Sequence, residues 1–370
     1  MVRTHIHPLR AMVLQSVGGT AADSCLQWAK PTFSPEIRSL WMQVSQRLAN
    51  QVSPIEDRDW FESLIGWTAH AIEPLGLTLT GGFDQLNADG GFSLFRIETS
   101  GTECWFKAVG PPCLSEYSVT LALSHRAPEY IPPLVADSEK WHGWLSLQAC
   151  GQSLEDVGTP RAWSAAAASI ARLQIGEISH SDWWLTQGCK DYRPSALACR
   201  VRQLFDSIRD AMDQAPVGSP IPLSGEQQDR LEAYLHETLD RLAGLPHTLV
   251  HGDLNPRNIF VQDDLCQFLD WAEASVGMPF LALENLLANL RRWSRGAADQ
   301  EAAIRASYVT PWRSILSEEL SVLGQSSAPL VRYAAMALEA ERGGRDRYPL
   351  LRSLARSMWR EIGEGLGRRG

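Results

Sequence analysis

Residues 249–271 read LVHGDLNPRNIFVQDDLCQFLDW, and this stretch decides how the rest of the chain is interpreted. Two short apolar runs flank a polar turn at 262–264, so the stretch is predicted to form an antiparallel hairpin. Asn258 lies just before the first strand, and Asp270 lies at the end of the second. The hairpin therefore brings these two side chains to the same end.

An amide oxygen and a carboxylate that converge at one point form a hard, oxygen-rich site of the kind that Mg²⁺ prefers. Asp253 lies five residues before Asn258, in a loop held by Gly252 and Pro256, within reach of the same point. Phosphoryl transfer needs this arrangement, because a metal offsets the charge of nucleotide phosphates while a nearby carboxylate accepts the proton of the attacking hydroxyl. The alternative is a solvated turn, since Asp and Asn are common turn residues.

The order of His251, Gly252 and Asp253, then Asn258, an apolar strand, a turn and Asp270-Trp271 resembles the aminoglycoside phosphotransferase and choline kinase-like family. This family is a branch of the protein-kinase-like fold. The resemblance implies that Asp253 is the catalytic base and that Asn258 and Asp270 hold Mg²⁺. It also implies transfer of the γ-phosphate of ATP, or of GTP, to a hydroxyl of an aminoglycoside, a sugar or an amino-alcohol.

The fold expected from this resemblance is α+β and two-lobed, with a small β-rich N-lobe, a larger helical C-lobe and an N-terminal helical extension. Residues 1–75 are predicted to form a tail and accessory helices, one beginning at Ser34 and one over 58–72. Residues 76–147 are predicted to form a small nucleotide-binding lobe of three strands, a helix and two strands. Residues 148–370 are predicted to form a large catalytic and substrate lobe, in which only the hairpin stretch interrupts the helices.

Lys107 ends a predicted strand over 104–108, and Glu116 follows nine residues later, early in a predicted helix over 114–125. In a kinase-like small lobe, a lysine on the third strand contacts the nucleotide phosphates, and a glutamate on the next helix holds that lysine. A lysine that emerges from an aromatic strand is also costly to bury without a partner. The alternative is a solvated lysine and a glutamate that stabilises a helix N-terminus.

Two further assignments complete the nucleotide site that the resemblance implies. Gly90 and Gly91 lie at the first strand turn, where the family carries a loop over the nucleotide, and glycines let backbone amides approach phosphate closely. Adjacent glycines are also typical of an ordinary hairpin turn. Gln148 and Cys150 lie at the predicted hinge between the lobes, where backbone groups would meet the nucleotide base; their order along the chain is the basis for this assignment.

The chain departs from the family pattern at two places. Gln174 stands near the end of the first large-lobe helix, where many members of the family have a histidine. After the Asp-Trp pair, Gly277 and Pro279 match the family, but residues 280–284 contain no aspartate where one is usual. That position is structural in the family, so its change puts the subfamily in question rather than the chemistry.

The composition narrows the classes of function. The chain has 370 residues, 44% hydrophobic content and a net charge of −9, which predicts a well-buried core and disfavours a nucleic-acid binder. No apolar run approaches the roughly 18 residues of a membrane span. The seven cysteines form no CxxC pair and are expected to be reduced. The apolar run at 11–14 is too short for a signal-peptide core, so the protein is expected to be cytoplasmic, with neither a membrane nor a nucleic acid as partner. The oligomeric state is left open.

The acceptor is expected to be a small hydroxylated molecule, and the acidic composition allows it to be cationic. Asp182, Asp191 and Glu273 are candidates for lining a cationic pocket, although each is more typical of a solvated surface charge. Trp183 and Trp184 fit an aromatic box for a quaternary amine, although core packing is the commoner role of such residues.

Two other functions are weighed against the small-molecule kinase. A protein kinase is disfavoured, because no Ala-Pro-Glu-type segment follows Asp270. A non-catalytic nucleotide-binding regulatory protein of the same fold is disfavoured, because Lys107, Asp253, Asn258 and Asp270 occur together.

Overall fold

The computed structural model describes residues 60–88, 91–293 and 297–367. The chain divides into two compact units, with the boundary between Cys150 and Gly151. The predicted helix that begins at Ser34 lies outside the described residues. No described helix has both the length and the apolar content needed to cross a membrane.

The first unit contains a five-stranded antiparallel sheet in the order β1-β2-β3-β5-β4, with one helix before the sheet and one inserted after β3. The elements are α1 (Trp60–Ile72), β1 (Leu79–Ala88), β2 (Phe92–Thr99), β3 (Cys104–Val109), α2 (Ser115–Arg126), β4 (Leu134–Ser138) and β5 (Gly143–Leu147). The predicted order of three strands, a helix and two strands is confirmed.

The strand β3 shows how alternation places side chains on opposite faces of the sheet. Cys104 and Phe106 are fully buried in a cluster that includes Trp60 and Leu64 of α1. Successive side chains of a strand point to opposite faces, so Lys107 lies on the other face of the sheet. That face packs against a second cluster, which includes Tyr117 of α2.

The second unit is mainly helical. Its helices are α3 (Leu154–Val157), α4 (Pro160–Gly176), α5 (Ser181–Thr186), α6 (Pro194–Asp213), α7 (Gly225–Arg241), α8 (Phe280–Trp293), α9 (Ala297–Trp312), α10 (Glu318–Glu341) and α11 (Tyr348–Gly367). Its strands are β6 (Gln152–Ser153), β7 (Lys190–Tyr192), β8 (Thr248–Val250), β9 (Ile259–Gln262), β10 (Leu265–Phe268) and β11 (Ser275–Gly277). Together with the first unit, these elements confirm the predicted α+β class.

Apolar periodicity accounts for the long helices. In α7 the leucines at 231, 235 and 239 recur every four residues and are buried. Ser224 caps this helix in a reciprocal capping box with Gln227, which satisfies N–H groups that the first turn leaves free. A spacing of four residues is typical of a helix that buries one face.

The prediction that only the hairpin stretch interrupts the helices is wrong. The hairpin β9–β10 is present and is antiparallel, but β6 joins it as a third strand. A second small sheet has the order β7-β11-β8, with β7 parallel and β8 antiparallel to β11. Strands of two or three residues are too short to show a period of two, and their pairing depends on distant parts of the chain.

Candidate active site

The loop between β8 and β9 carries Asp253. The residue before it, Gly252, cannot be replaced by another residue without strain. Gly252 has a φ of +84°, and a Cβ atom built there would lie 2.2 Å from the backbone oxygen of Glu273. Both the left-handed backbone and the close approach require glycine. The loop ends in a short 3-10 turn, Pro256–Asn258, which leads directly into β9.

His251 joins this loop to the end of the hairpin. Its side chain is fully buried, the backbone N–H of Asp253 donates to its Nδ1 at 3.3 Å, and its Nε2 lies 2.9 Å from the backbone oxygen of Leu269. Because a backbone N–H only donates, we assign the ring proton to Nε2, which donates to Leu269. The ring also packs against Trp271, with 4.3 Å between ring centroids. The imidazole therefore ties Asp253 to the strand end that precedes Asp270.

Asn258 is in contact with Asp253. Its Nδ2 lies 3.3 Å from the backbone oxygen and 3.4 Å from the Oδ2 of Asp253. Its own backbone oxygen accepts a hydrogen bond of 2.8 Å from the N–H of Leu269. Asp270 follows with an exposed side chain and a φ of +66°, a left-handed conformation that aspartate adopts more readily than most residues.

The carboxylate of Asp253 lies in an unfavourable electrostatic environment. Burial raises the pKa of Asp253, and the negative charges of Asp270 and Glu273 raise it further, while the positive charges of Arg292 and Arg332 lower it. Asp270 is therefore close enough to interact electrostatically with Asp253. Two carboxylates and an amide group gathered in this way fit a hard divalent cation, which would relieve the repulsion between the carboxylates.

Two asparagines of α8 brace the loop, and the sequence reasoning missed them. Asn285 accepts a hydrogen bond of 2.7 Å from the N–H of Leu254 and donates one of 2.6 Å to the backbone oxygen of Gly252. Asn289 donates to the backbone oxygen of Leu254 at 3.1 Å. Their spacing of four residues puts both on one helix face, and this spacing is the feature of the sequence that could have pointed to them. Asn285 thus braces the loop from just beyond 280–284, the segment without the expected aspartate.

Gln174, at the position where the resemblance leads one to expect histidine, is a fully buried hydrogen-bonding centre. Its Nε2 donates to the backbone oxygens of Leu249 and Pro279 at 3.1 and 3.3 Å. Its Oε1 accepts from the hydroxyl of Tyr308, and its backbone oxygen accepts from the hydroxyl of Thr248. The glutamine therefore ties α4 to β8, immediately before the loop.

In the first unit, the predicted pair of Lys107 and Glu116 is present. The Nζ of Lys107 lies 2.6 Å from the Oε1 of Glu116, whose side chain is only 1% exposed. The ammonium group also lies 5.0 Å from the ring centroid of Phe92 and 5.9 Å from that of Trp144. A charge so deeply placed requires the partner that the sequence predicted.

The structure says less about the four other residues predicted to bind the nucleotide, which are Gly90, Gly91, Gln148 and Cys150. Gly90 lies outside the described residues, and the backbone oxygen of Gly91 accepts from the N–H of Gly110 at 2.9 Å. The backbone N–H of Gln148 donates to Glu103 at 2.9 Å, so this N–H group is already engaged. Cys150 is half-buried at the end of the first unit.

A cavity of about 620 Å³ in the second unit opens beside Asp253. It is lined, among other residues, by Asp253, Glu273, Asn285, Arg332, Met336 and Glu339. A larger cavity of about 910 Å³ is lined by Arg241, Arg305 and Tyr333, among others, and its lining does not include the loop. We place the chemistry in the smaller cavity because it contains the carboxylate.

The candidates for a cationic pocket are not all in this cavity. Glu273 lines it, whereas Asp182 and Asp191 both form ion pairs with Arg193, at 2.7 Å each. Trp184 is buried and donates from its Nε1 to Glu177 at 2.8 Å, so it is a core residue.

Comparison with solved structures identifies the class of fold. The chain is similar to a macrolide 2'-phosphotransferase from Brachybacterium faecium, with 16% identity, a TM-score of 0.53, and 79% of this chain and 98% of that one covered. For a choline kinase from Cryptosporidium parvum Iowa II, identity is 11%, the TM-score is 0.56, and the coverages are 83% and 97%. For a wild-type aminoglycoside 2'-phosphotransferase-IIIa in its GDP complex, identity is 14%, the TM-score is 0.51, and the coverages are 81% and 99%. At such identities these likenesses show the kinase-like fold.

The family follows from the sequence. The model of the phosphotransferase enzyme family matches residues 119–315, more than half of the chain. The protein therefore belongs to this family, which confirms the resemblance drawn from the hairpin stretch. The matched region contains Asp253, Asn258 and Asp270, whereas Lys107 and Glu116 precede it. No curated protein sequence matches the chain.

We predict that Asn285→Ala destabilises the second unit and loosens the loop. The change leaves the N–H of Leu254 and the oxygen of Gly252 without their partner, at a cost of about 1–3 kcal/mol for each buried group. Urea denaturation measures the loss, and amide exchange at Leu254 should become faster. Gln214→Ala, an exposed amide at the end of α6, is the control and should change stability by less than about 0.5 kcal/mol. Unchanged exchange at Leu254 would contradict the bracing role.

We also predict that Asp253→Asn stabilises the metal-free protein at neutral pH. The pKa of Asp253 is raised in the folded state, so the folded protein binds its proton more tightly than the unfolded chain does, and folding stability falls as pH rises through that pKa. The amide carries no charge to bury. The melting temperature of the variant should exceed that of wild type at pH 7, and the difference should shrink as pH falls below the folded-state pKa. A pH-independent difference would argue against this electrostatic account.

Proposed function

We propose that the protein is a small-molecule kinase that transfers the γ-phosphate of ATP, or of GTP, to a hydroxyl of a small acceptor in a Mg²⁺-dependent reaction. The observation that carries the proposal is the carboxylate of Asp253. It is partly buried, has a raised pKa, contacts Asn258 and opens onto a cavity large enough for a small molecule.

In this proposal Asp253 orients the acceptor hydroxyl and takes its proton as the hydroxyl oxygen attacks the γ-phosphorus. The bond between the γ-phosphorus and the bridging oxygen breaks, and the nucleoside diphosphate leaves with that oxygen. The raised pKa makes the carboxylate a stronger proton acceptor than an ordinary aspartate, which suits a general base. His251 supports this role by holding the backbone N–H of Asp253.

Asn258 and Asp270 would hold Mg²⁺, which offsets the charge of the nucleotide phosphates when it is bound. In the first unit, Lys107 would contact the phosphates, and Glu116 holds its ammonium group in place. We assign residues 76–147 as the nucleotide-binding lobe and 148–370 as the catalytic and substrate lobe.

Two further assignments belong to this proposal. Gly90 and Gly91 would approach the phosphates through their backbone. Gln148 and Cys150 would face the nucleotide base through backbone groups.

The experiment that tests the function is turnover by the Asp253→Ala variant. ADP release is measured over a panel of hydroxylated sugars, amines and acids, and the variant should lose on the order of 10²–10⁴-fold in rate, the usual contribution of a general base. Its nucleotide affinity should stay near that of wild type.

The control variant is Asp213→Ala, which changes an exposed aspartate at the end of α6 and should keep full activity. Equal rates for Asp253→Ala and wild type would refute the assignment of the base. A wild-type protein that binds nucleotide but releases no ADP with any acceptor would instead be a regulatory nucleotide-binding protein.

A second variant tests the metal site. Asp270→Ala should weaken Mg²⁺-dependent nucleotide binding by roughly 10–100-fold, a range observed even for residues that only support a metal ligand. Calorimetric titration of nucleotide at several Mg²⁺ concentrations measures the effect. Asp264→Ala, an exposed aspartate in the turn of the same hairpin, is the matched control. Identical Mg²⁺ dependence in wild type and Asp270→Ala would remove Asp270 from the metal site.

A further inference from the structure

The cavity beside Asp253 has a charge pattern that differs from the net charge of the chain. Besides Asp253, its lining contains the acidic residues Glu273 and Glu339, and both of these form ion pairs within the protein. Glu273 pairs with Lys190 at 2.5 Å. Glu339 pairs with Lys190 at 3.4 Å and with Arg342 at 3.1 Å, and it accepts a hydrogen bond of 2.6 Å from Tyr192. A cationic acceptor would have to displace these partners.

Arg332 of α10 lines the same cavity and has no such partner. Among the described residues it forms no ion pair and no hydrogen bond. Its guanidinium carbon lies 5.9 Å from the ring centroid of the adjacent Tyr333, a cation–π contact. The carboxylate of Glu284 favours its charge from a distance, but Glu284 is itself paired with Arg291 at 2.8 Å. The cavity therefore presents a guanidinium that is not neutralised by direct contact.

The environment of Arg332 makes this arrangement costly. Burial lowers the pKa of Arg332, and the charges of Arg292 and Arg291 lower it as well, against the opposing effect of Glu284. An arginine nevertheless stays protonated at neutral pH, so the unfavourable charge persists. A bound anion would remove the penalty, and a guanidinium binds carboxylate or phosphate through two parallel hydrogen bonds.

Two further observations concern the position of Arg332 relative to the proposed catalytic carboxylate of Asp253. The charge of Arg332 lowers the pKa of Asp253, so the two groups interact across the same cavity. Arg347 is exposed at the cavity rim and also forms no ion pair with a described residue. An anionic group bound to Arg332 would therefore share the cavity with the carboxylate of Asp253.

We propose that the acceptor carries an anionic group, a carboxylate or a phosphate, which Arg332 binds while a hydroxyl of the same molecule faces Asp253. The inference rests on the proposed function for the role of Asp253, and it specifies the substrate class of that site. It reverses the expectation of a cationic acceptor drawn from the net charge. Arg332 is an acceptor-binding residue in this scheme.

The test is calorimetric binding to the full chain in the presence of Mg²⁺ and a non-hydrolysable ATP analogue. The probes form two matched sets that differ in charge: glycerol, glycerate, glycerol phosphate and serinol, and then glucose, gluconate and glucosamine. The wild type should bind a carboxylate or phosphate probe at least about tenfold more tightly than the neutral and amine members of its set. Comparison of glycerate with glycerol phosphate distinguishes the two anions.

Arg332→Met should weaken binding of the anionic probes by roughly 10–100-fold, the range expected for a charge-assisted hydrogen bond, and leave the affinity for the ATP analogue unchanged. Arg230→Met, an exposed arginine on α7, is the control and should bind every probe as wild type does. A melting temperature close to that of wild type shows that Arg332→Met is folded.

Four results would overturn the inference. Two concern the wild type: a neutral or amine probe binds as tightly as the anionic probes or more tightly, or no anionic probe binds. Two concern Arg332→Met: its affinity for the anionic probes is unchanged, or it loses affinity for the ATP analogue instead of for the anionic probes. The proposed function fails separately, through Asp253→Ala. Normal turnover in that variant together with Arg332-dependent anion binding would reject the base and keep the anion site.

Discussion

The buried imidazole of His251 is the interaction on which the rest of the site depends. It accepts from the N–H of Asp253 and faces the backbone oxygen of Leu269, so one side chain joins the loop to the far strand of the hairpin. A buried polar ring needs both partners, because an unsatisfied nitrogen is costly. The positions of Asp253 and of the strand end before Asp270 are therefore linked, and neither can move without breaking a hydrogen bond.

This link holds carboxylates close together although their negative charges repel one another. Asp253 is partly buried close to the negative charges of Asp270 and Glu273, each of which raises its pKa. Packing and hydrogen bonds from elsewhere hold the group together, including those of Asn285 and Gln174. Strain of this kind is typical of functional sites, where the surrounding structure supplies the stability that the site itself lacks.

The net charge of the chain does not describe the charges that line the cavity. The chain carries −9, yet Glu273 and Glu339 form ion pairs with Lys190 and Arg342, and Arg332 has no ion-pair partner among the described residues. What a ligand meets is the local pairing of charges, and that pairing depends on which side chains the fold brings together. Composition records only their sum.

The sequence by itself determined the elements whose signals are local. The hairpin of 249–271 and the helix marked by leucines at 231, 235 and 239 follow from periodicity and short spacings, and the structure contains both. The pair of Lys107 and Glu116, which the structure also contains, was expected from the resemblance to a kinase-like small lobe. The family was also evident from that one stretch, because its residue types lie at fixed short offsets. Such patterns are readable because the interacting residues are neighbours along the chain.

The tertiary structure decided what depends on contacts between distant segments. The strands β6, β7 and β11 are too short to be recognised before their partners are known. Asn285 braces a loop more than thirty residues away, and Tyr308 reaches Gln174 across 134 positions. That Arg332 has no ion-pair partner in the part of the chain that the structure describes likewise depends on which carboxylates pair with other cations. Local sequence sets the preference of each segment, but hydrogen bonds and charge pairing over such separations are settled only when the chain has packed.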